Sequence, residues 1–165
     1  MQSTTMQLEI TYLRTTSLKP DPRNPRVHTD KQVRQIAKSI ESFGFNVPIL
    51  IDDQQMVIAG HGRLQAARKL GWDTVPAIRL SHLTEAQRAA FLIADNRLTE
   101  NASWDERMLG EQLKFLSELD LDFDLEAIGF EVPEIDLLID GLSAVPEAEP
   151  DDRVPDISGP AVTVS

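Results

Sequence analysis

Residues 58–71 read IAGHGRLQAARKLG. Ile58 and Ala59 close an apolar run, Gly60 to Gly62 turn the chain, and an alanine-rich helix follows over 61–70. Gly71 stands beyond it as a stop. A strand that breaks on glycines and re-enters as a helix leaves that helix's first N–H groups without intrahelical partners. Those groups carry a partial positive charge. Two glycines remove the Cβ atoms that would keep a bulky group at a distance. Arg63 adds a planar fork that matches phosphate oxygens, and His61 can donate to the same anion. Two readings fit these residues. One is a phosphate cradle; the other is a strand-to-helix turn with glycines for geometry and a solvated Arg63. The spacing is neither that of a P-loop nor GxGxxG.

The flanking segments place this stretch in an α/β fold. QLEITYLR (7–14) alternates, with Leu8, Ile10 and Tyr12 on one face, and predicts a strand. SLKPDPRNPRVHTD (17–30) carries three prolines and predicts a loop. Val33, Ile36, Ala37, Ile40 and Phe43 share one helical face, with Thr29 or Asp30 as the cap and Gly44 as the stop. VPILID (47–52) and QMVIAG (55–60) flank a polar turn and predict a hairpin, and VPAIRL (75–80) predicts a further strand. Thr84 with Gln87, and Ser103 with Glu106, read as capping boxes. They open helices to about Asn96 and about Leu119, and a last short helix is expected over 133–140.

The 165 residues include no cysteine, which excludes disulfides, thiolate metal sites and thiol catalysis. No apolar run approaches the roughly 20 residues of a membrane span, and the N-terminus lacks the pattern of a signal peptide. A cytoplasmic protein with no membrane partner is therefore expected. The net charge of −11 is unevenly distributed. Residues 1–100 hold 13 Lys and Arg against 10 Asp and Glu, a net +3; residues 101–165 hold 3 against 17, a net −14. The first part can host an anion, whereas the second repels one.

GHGRLQAARKLG resembles the GERRLRAA box of the ParB/sulfiredoxin superfamily. LKPDPRNPRVHTDKQVRQIAKSIESFGFNVPILI is similar to the opening of ParB N-terminal domains. VPAIRL matches the strand after the box, and FLIADNRL falls where ParB proteins carry ALIENxQR. Four segments in order, over about residues 8–100, carry the resemblance. It implies a small mixed sheet with surrounding helices, binding a nucleoside triphosphate (CTP or ATP) with Mg²⁺. By the same resemblance, Gly60, His61, Gly62 and Arg63 form the phosphate box, and Arg26 matches the arginine of the Pro-Arg loop. Asp95 and Asn96 match the pair beside metal and triphosphate, an oxygen set that suits Mg²⁺. The plain reading of Asp95-Asn96 is a helix C-terminus with Asn as a left-handed cap.

The departures narrow the expectation. Gly62 stands where the box has a further arginine beside the one matched by Arg63. His61 stands where sulfiredoxin has its catalytic cysteine, which excludes that chemistry. If the chain is an NTPase or phosphotransferase, Asp95 and His61 are the candidates for a base. A nuclease lacks a convincing carboxylate cluster here. The acidic stretch after residue 100 is expected to carry no helix-turn-helix, so DNA would be met indirectly or without sequence specificity. DNRLTENASWDE and the later IGF…EID resemble the ParB-like domain joined to phage and prophage DNA methyltransferases, but no NPPY-type motif is present. The resemblance implies a nucleotide-binding module at 7–100; the helical patterns after it predict an acidic helical appendage at 101–142, and the proline-rich, acidic composition beyond predicts a disordered tail or linker at 143–165. The module's implied partners are a methyltransferase or partition protein, and a second copy in a homodimer. Trp104, with Leu109 and Leu113, is expected to pack the appendage on the core.

Overall fold

The computed structural model describes residues 6–144. The predicted strands form β1 (Ile10–Arg14), β2 (Ile49–Ile51), β3 (Val57–Ala59) and β4 (Thr74–Arg79). They make one sheet in the order β1-β4-β2-β3. β2 runs parallel to β4, while β1–β4 and β2–β3 are antiparallel. The sheet is therefore mixed. The parallel step is made by α2 (His61–Lys69), which carries the chain from β3 to β4. The other helices are α1 (Asp30–Phe43), α3 (Glu85–Glu100), α4 (Glu106–Ser117) and α5 (Val132–Asp140).

Alternation decides which side chains face α2. Ile49, Ile51, Val57, Val75 and Ala77 are buried on one face of the sheet against Leu64, Ala67 and Leu18. Ala66, on another side of α2, meets Val33, Ala37 and Ile40 of α1. The helix after the glycine turn thus lies between the sheet and α1, and its alanines let both approach. β1 contributes only Leu13 to this core; Leu8, Ile10 and Tyr12 are exposed.

The caps follow the sequence with two changes. Thr29 caps α1, Gly44 stops it, and Thr84 and Gln87 form a reciprocal capping box on α3. The helix expected to open on Ser103 is instead capped by Asp105, whose side chain accepts from Met108 N–H. α3 runs on to Glu100, so Asp95 and Asn96 lie inside it rather than at its end. Gln55 is the one non-glycine residue with positive φ among those described, so Asn96 is no left-handed cap.

α4 and α5 pack closely, since a Cβ on Gly110 would lie 2.7 Å from the Leu138 carbonyl oxygen. The segment joining them docks on α1 through ion pairs of Lys31 with Glu131 and of Lys38 with Glu126, and through an edge-on contact of Phe43 with Phe123 at 4.9 Å. Trp104 does not reach the core. It is two-thirds exposed and meets Phe130, a residue of the appendage itself. Its amphipathic ring lies at the surface instead, while Leu113 fills the buried position. Nearly all of the expected tail, from residue 145 on, lies outside the described residues. No described helix is long and apolar enough to cross a membrane.

Candidate functional site

The site begins at Gly60. Its φ of 102° is left-handed, and a Cβ there would lie 3.0 Å from Arg63 Nη2 and 3.2 Å from Ile49 Cγ1. Only glycine makes this turn at low cost. The turn ends β3 and opens α2 with no side-chain cap, so the first N–H groups of α2 receive no side-chain acceptor. A cavity of about 250 Å³ opens at this mouth. Its wall includes Arg26, Gly60, His61, Gly62, Arg63, Asp95 and Asn96. Every residue expected at the site is therefore brought to one place, from three separated segments.

Two hydrogen bonds fasten the proline-rich loop across the mouth. Asp21 N–H donates to His61 Nε2 at 3.2 Å. Arg26 Nη1 donates to Asn96 Oδ1 at 2.9 Å, while Asn96 Nδ2 holds the Leu92 carbonyl at 2.8 Å. Within the loop, Asp21 is buried and accepts from Arg23. Burial works to raise the Asp21 carboxyl pKa. The side-chain and backbone hydrogen bonds from Arg23, with the charges of Arg23 and Arg88, outweigh it and hold the group below its ordinary value.

His61 is buried, with one ring nitrogen taken by the Asp21 N–H. In the neutral ring the proton is then on Nδ1, which remains a donor. Burial lowers its pKa; the Asp21 charge opposes this, and His28 adds to it. Neutral His61 has no free lone pair, which makes it a poor general base. Arg63 is held differently. Nη2 donates to the Pro48 carbonyl at 3.2 Å, and the buried Nε has no hydrogen-bond partner among the described residues. Burial lowers the guanidinium pKa, opposed by the Asp95 charge. Asp95 makes no direct ion pair with Arg63 among the described residues. The mouth of α2 thus holds a desolvated cation without a bonded counter-charge.

The sequence reading missed three residues of the wall, His28, Gln32 and Thr99. His28 Nδ1 meets Gln32 Oε1 at 3.0 Å. The glycine at 62 was the available signal: a Cβ there would press on Ile36 Cδ1 at 2.9 Å and on the His28 ring at 3.0 Å. No group of three or more His, Cys, Asp or Glu among the described residues is arranged to hold a metal.

The fold and this mouth define a small mixed-sheet α/β module in which a glycine turn, a proline-rich loop and a late helix close around one helix N-terminus. The chain belongs to the ParB N-terminal domain family, whose profile matches residues 1–96. This bears out the ParB/sulfiredoxin resemblance. A second profile, the ParB-methyltransferase HTH domain, matches residues 107–165. That overturns the expectation of no helix-turn-helix after residue 100. The physical reason for the miss is that the expectation leaned on charge, whereas the α4–α5 pair is specified by close packing at Gly110. Among relatives, a ParB-like nuclease domain-containing protein of Escherichia coli K12, YnaK, is 45% identical over 82 residues, covering 50% of this chain and 94% of that one. A nucleoid occlusion protein of Bacillus thuringiensis is 31% identical over 109 residues, covering 63% of this chain but only 37% of that one. The chromosome-partitioning protein ParB from Caulobacter crescentus, solved with CTP-gamma-S, superposes with a TM-score of 0.71 at 21% identity, covering 84% of this chain and 81% of that one.

Proposed function

We propose that the cavity at the mouth of α2 binds a nucleoside triphosphate, CTP or ATP, in a module accessory to DNA modification or to plasmid or prophage partition. The observation that carries this is Arg63, a half-buried cation whose enclosed Nε has no hydrogen-bond partner and which has no bonded counter-ion among the described residues, beside helix N–H groups that no side chain caps. A phosphate supplies that charge, and the α2 N-terminus supplies its donors. The CTP-gamma-S held by the Caulobacter relative supports the same reading. In it, Arg63 and the N–H groups after Gly60 hold phosphate oxygens, and His61 donates through Nδ1.

The residues fit Mg²⁺ through one ligand. Asp95 lines the cavity and has a carboxylate to offer, while the Asn96 oxygen is occupied by Arg26. Mg²⁺ needs only one or two protein oxygens when phosphates and water complete its shell. It would supply charge neutralisation between phosphates. Asn96 then serves by holding Arg26 against the cavity. Any hydrolysis would draw on Asp95 rather than His61, because the His61 lone pair is engaged. The segment from 107 onward would provide the contact with DNA or with a methyltransferase.

Calorimetric titration with CTP and with ATP, each with Mg²⁺, tests the assignment. Wild type binds one of them, and Arg63→Ala weakens binding at least tenfold, as expected for losing a charged donor worth about 1.5–3 kcal/mol. Equal binding by wild type and Arg63→Ala would overturn it.

A further inference from the structure

Position 62 and His28 compete for one volume. A Cβ at 62 would lie 2.9 Å from Ile36 Cδ1 and 3.0 Å from both Cε1 and Nδ1 of His28. The Ile36 contact is the far end of a flexible side chain and can turn away. The His28 ring is less free, because its Nδ1 meets Gln32 Oε1 at 3.0 Å and Gln32 is fixed in the first turn of α1, where its N–H is bound by Thr29. The ring therefore covers α2 at its second residue and forms part of the cavity wall beside Arg26, His61 and Arg63. Gly62 is small because His28 stands over it. An arginine at 62 would have to displace that ring.

We propose that His28 is a phosphate-contacting residue of this cavity, occupying the place that a side chain at 62 would take. The proposal rests on the nucleotide reading above. The chemistry is simple. The Gln32 amide can meet Nδ1 with its oxygen or, turned over, with its N–H. In the second arrangement the neutral ring carries its proton on Nε2 and can donate to an anion. Gln32 then positions the ring, and the α2 N-terminus and Arg63 hold the same anion from the other side.

The test compares wild type, His28→Ala, Gly62→Arg, the double variant His28→Ala/Gly62→Arg, and Arg63→Ala. The probes are CTP with Mg²⁺ and inorganic tripolyphosphate, titrated calorimetrically, with melting temperature measured on each variant. His28→Ala is expected to weaken both probes about tenfold, as for one charge-assisted hydrogen bond, without lowering the melting temperature. Gly62→Arg alone is expected to melt lower and to bind poorly. The double variant should recover both properties, since removing the ring opens room for the arginine. If His28→Ala binds both probes like wild type while Arg63→Ala does not, the His28 proposal fails and the nucleotide reading stands. If only CTP weakens, His28 touches the nucleoside and the phosphate assignment is wrong. If the double variant is no better than either single one, the shared volume is wrong. If wild type binds neither probe, both the proposal and the reading beneath it fall.

Discussion

His61 shows how much a single hydrogen bond can decide. The Asp21 N–H reaches its Nε2, and burial keeps the ring neutral below its ordinary pKa of 6.5. The folded ring therefore resists protonation that the unfolded chain accepts. Between 6.5 and the lower folded value, the unfolded state binds more protons, so stability falls with falling pH. The His61 contribution is complete above about pH 7, declines as pH drops through 6.5, and levels off below the folded pKa. Thermal melting followed between about pH 7.5 and 5.5 should show a decline in wild type that His61→Gln flattens. Parallel profiles for the two proteins would show that another group titrates there. The place of His61 at the helix mouth was legible in the sequence, because it lies between two glycines where a strand gives way to a helix. Its tautomer was not, because the partner that fixes it is forty residues earlier. His28 was illegible for a similar reason, since its place depends on how closely α1 approaches Gly62.

At the level of elements, local signals were legible wherever a cap or an alternation is self-contained. The Thr29 cap, the Thr84–Gln87 box and the strand runs needed no tertiary information. The end of α3 did, because its last turn carries no stop residue before Glu100. The helices α4 and α5 were legible, but the match of residues 107–165 to a helix-turn-helix family was not, since acidity says little about how helices cross. α3 is also held to the sheet by an interaction that no local pattern announces. Asp52 closes the β2–β3 turn by accepting from Gln54 N–H at 2.9 Å and Met56 N–H at 2.8 Å, and it pairs with Arg88 of α3. Both partners are mostly enclosed. Arg88→Leu would leave the Asp52 carboxylate with its turn donors but no counter-charge. A loss of about 3 kcal/mol is expected, the lower end for breaking a buried pair. Chemical denaturation should show a lower midpoint with unchanged slope. Because α3 also brings Asp95 and Asn96 to the cavity, the nucleotide binding proposed for that cavity should weaken in the same variant. A midpoint within experimental error of wild type would mean that the pair contributes nothing.

The molecule as a whole is divided in charge, +3 over residues 1–100 and −14 over residues 101–165. That division has a structural counterpart: Lys31 and Lys38 on α1 meet Glu131 and Glu126 of the acidic part. Both pairs are at least two-fifths exposed on every side chain. Pairs of that kind contribute about 0–1 kcal/mol and weaken with salt. The apolar share of the same contact includes the Phe43–Phe123 edge contact, worth about 0.5–1.5 kcal/mol. Docking of the appendage is therefore shallow and tunable, whereas the core built on Ile49, Ile51, Leu64 and Val75 is not. Raising salt from about 0.05 M to about 1 M shortens the screening length from over 10 Å to about 3 Å. Amide exchange over residues 120–140 should then quicken, while β2 and β4 keep their protection. Lys38→Glu should produce the same change at low salt, because it sets like charges opposite Glu126. Adding Glu126→Lys to that variant should restore protection by rebuilding the pair in reverse. If neither salt nor charge reversal alters exchange in that segment, the aromatic contact and the packing around it hold the appendage unaided, and the charge division has no part in docking it.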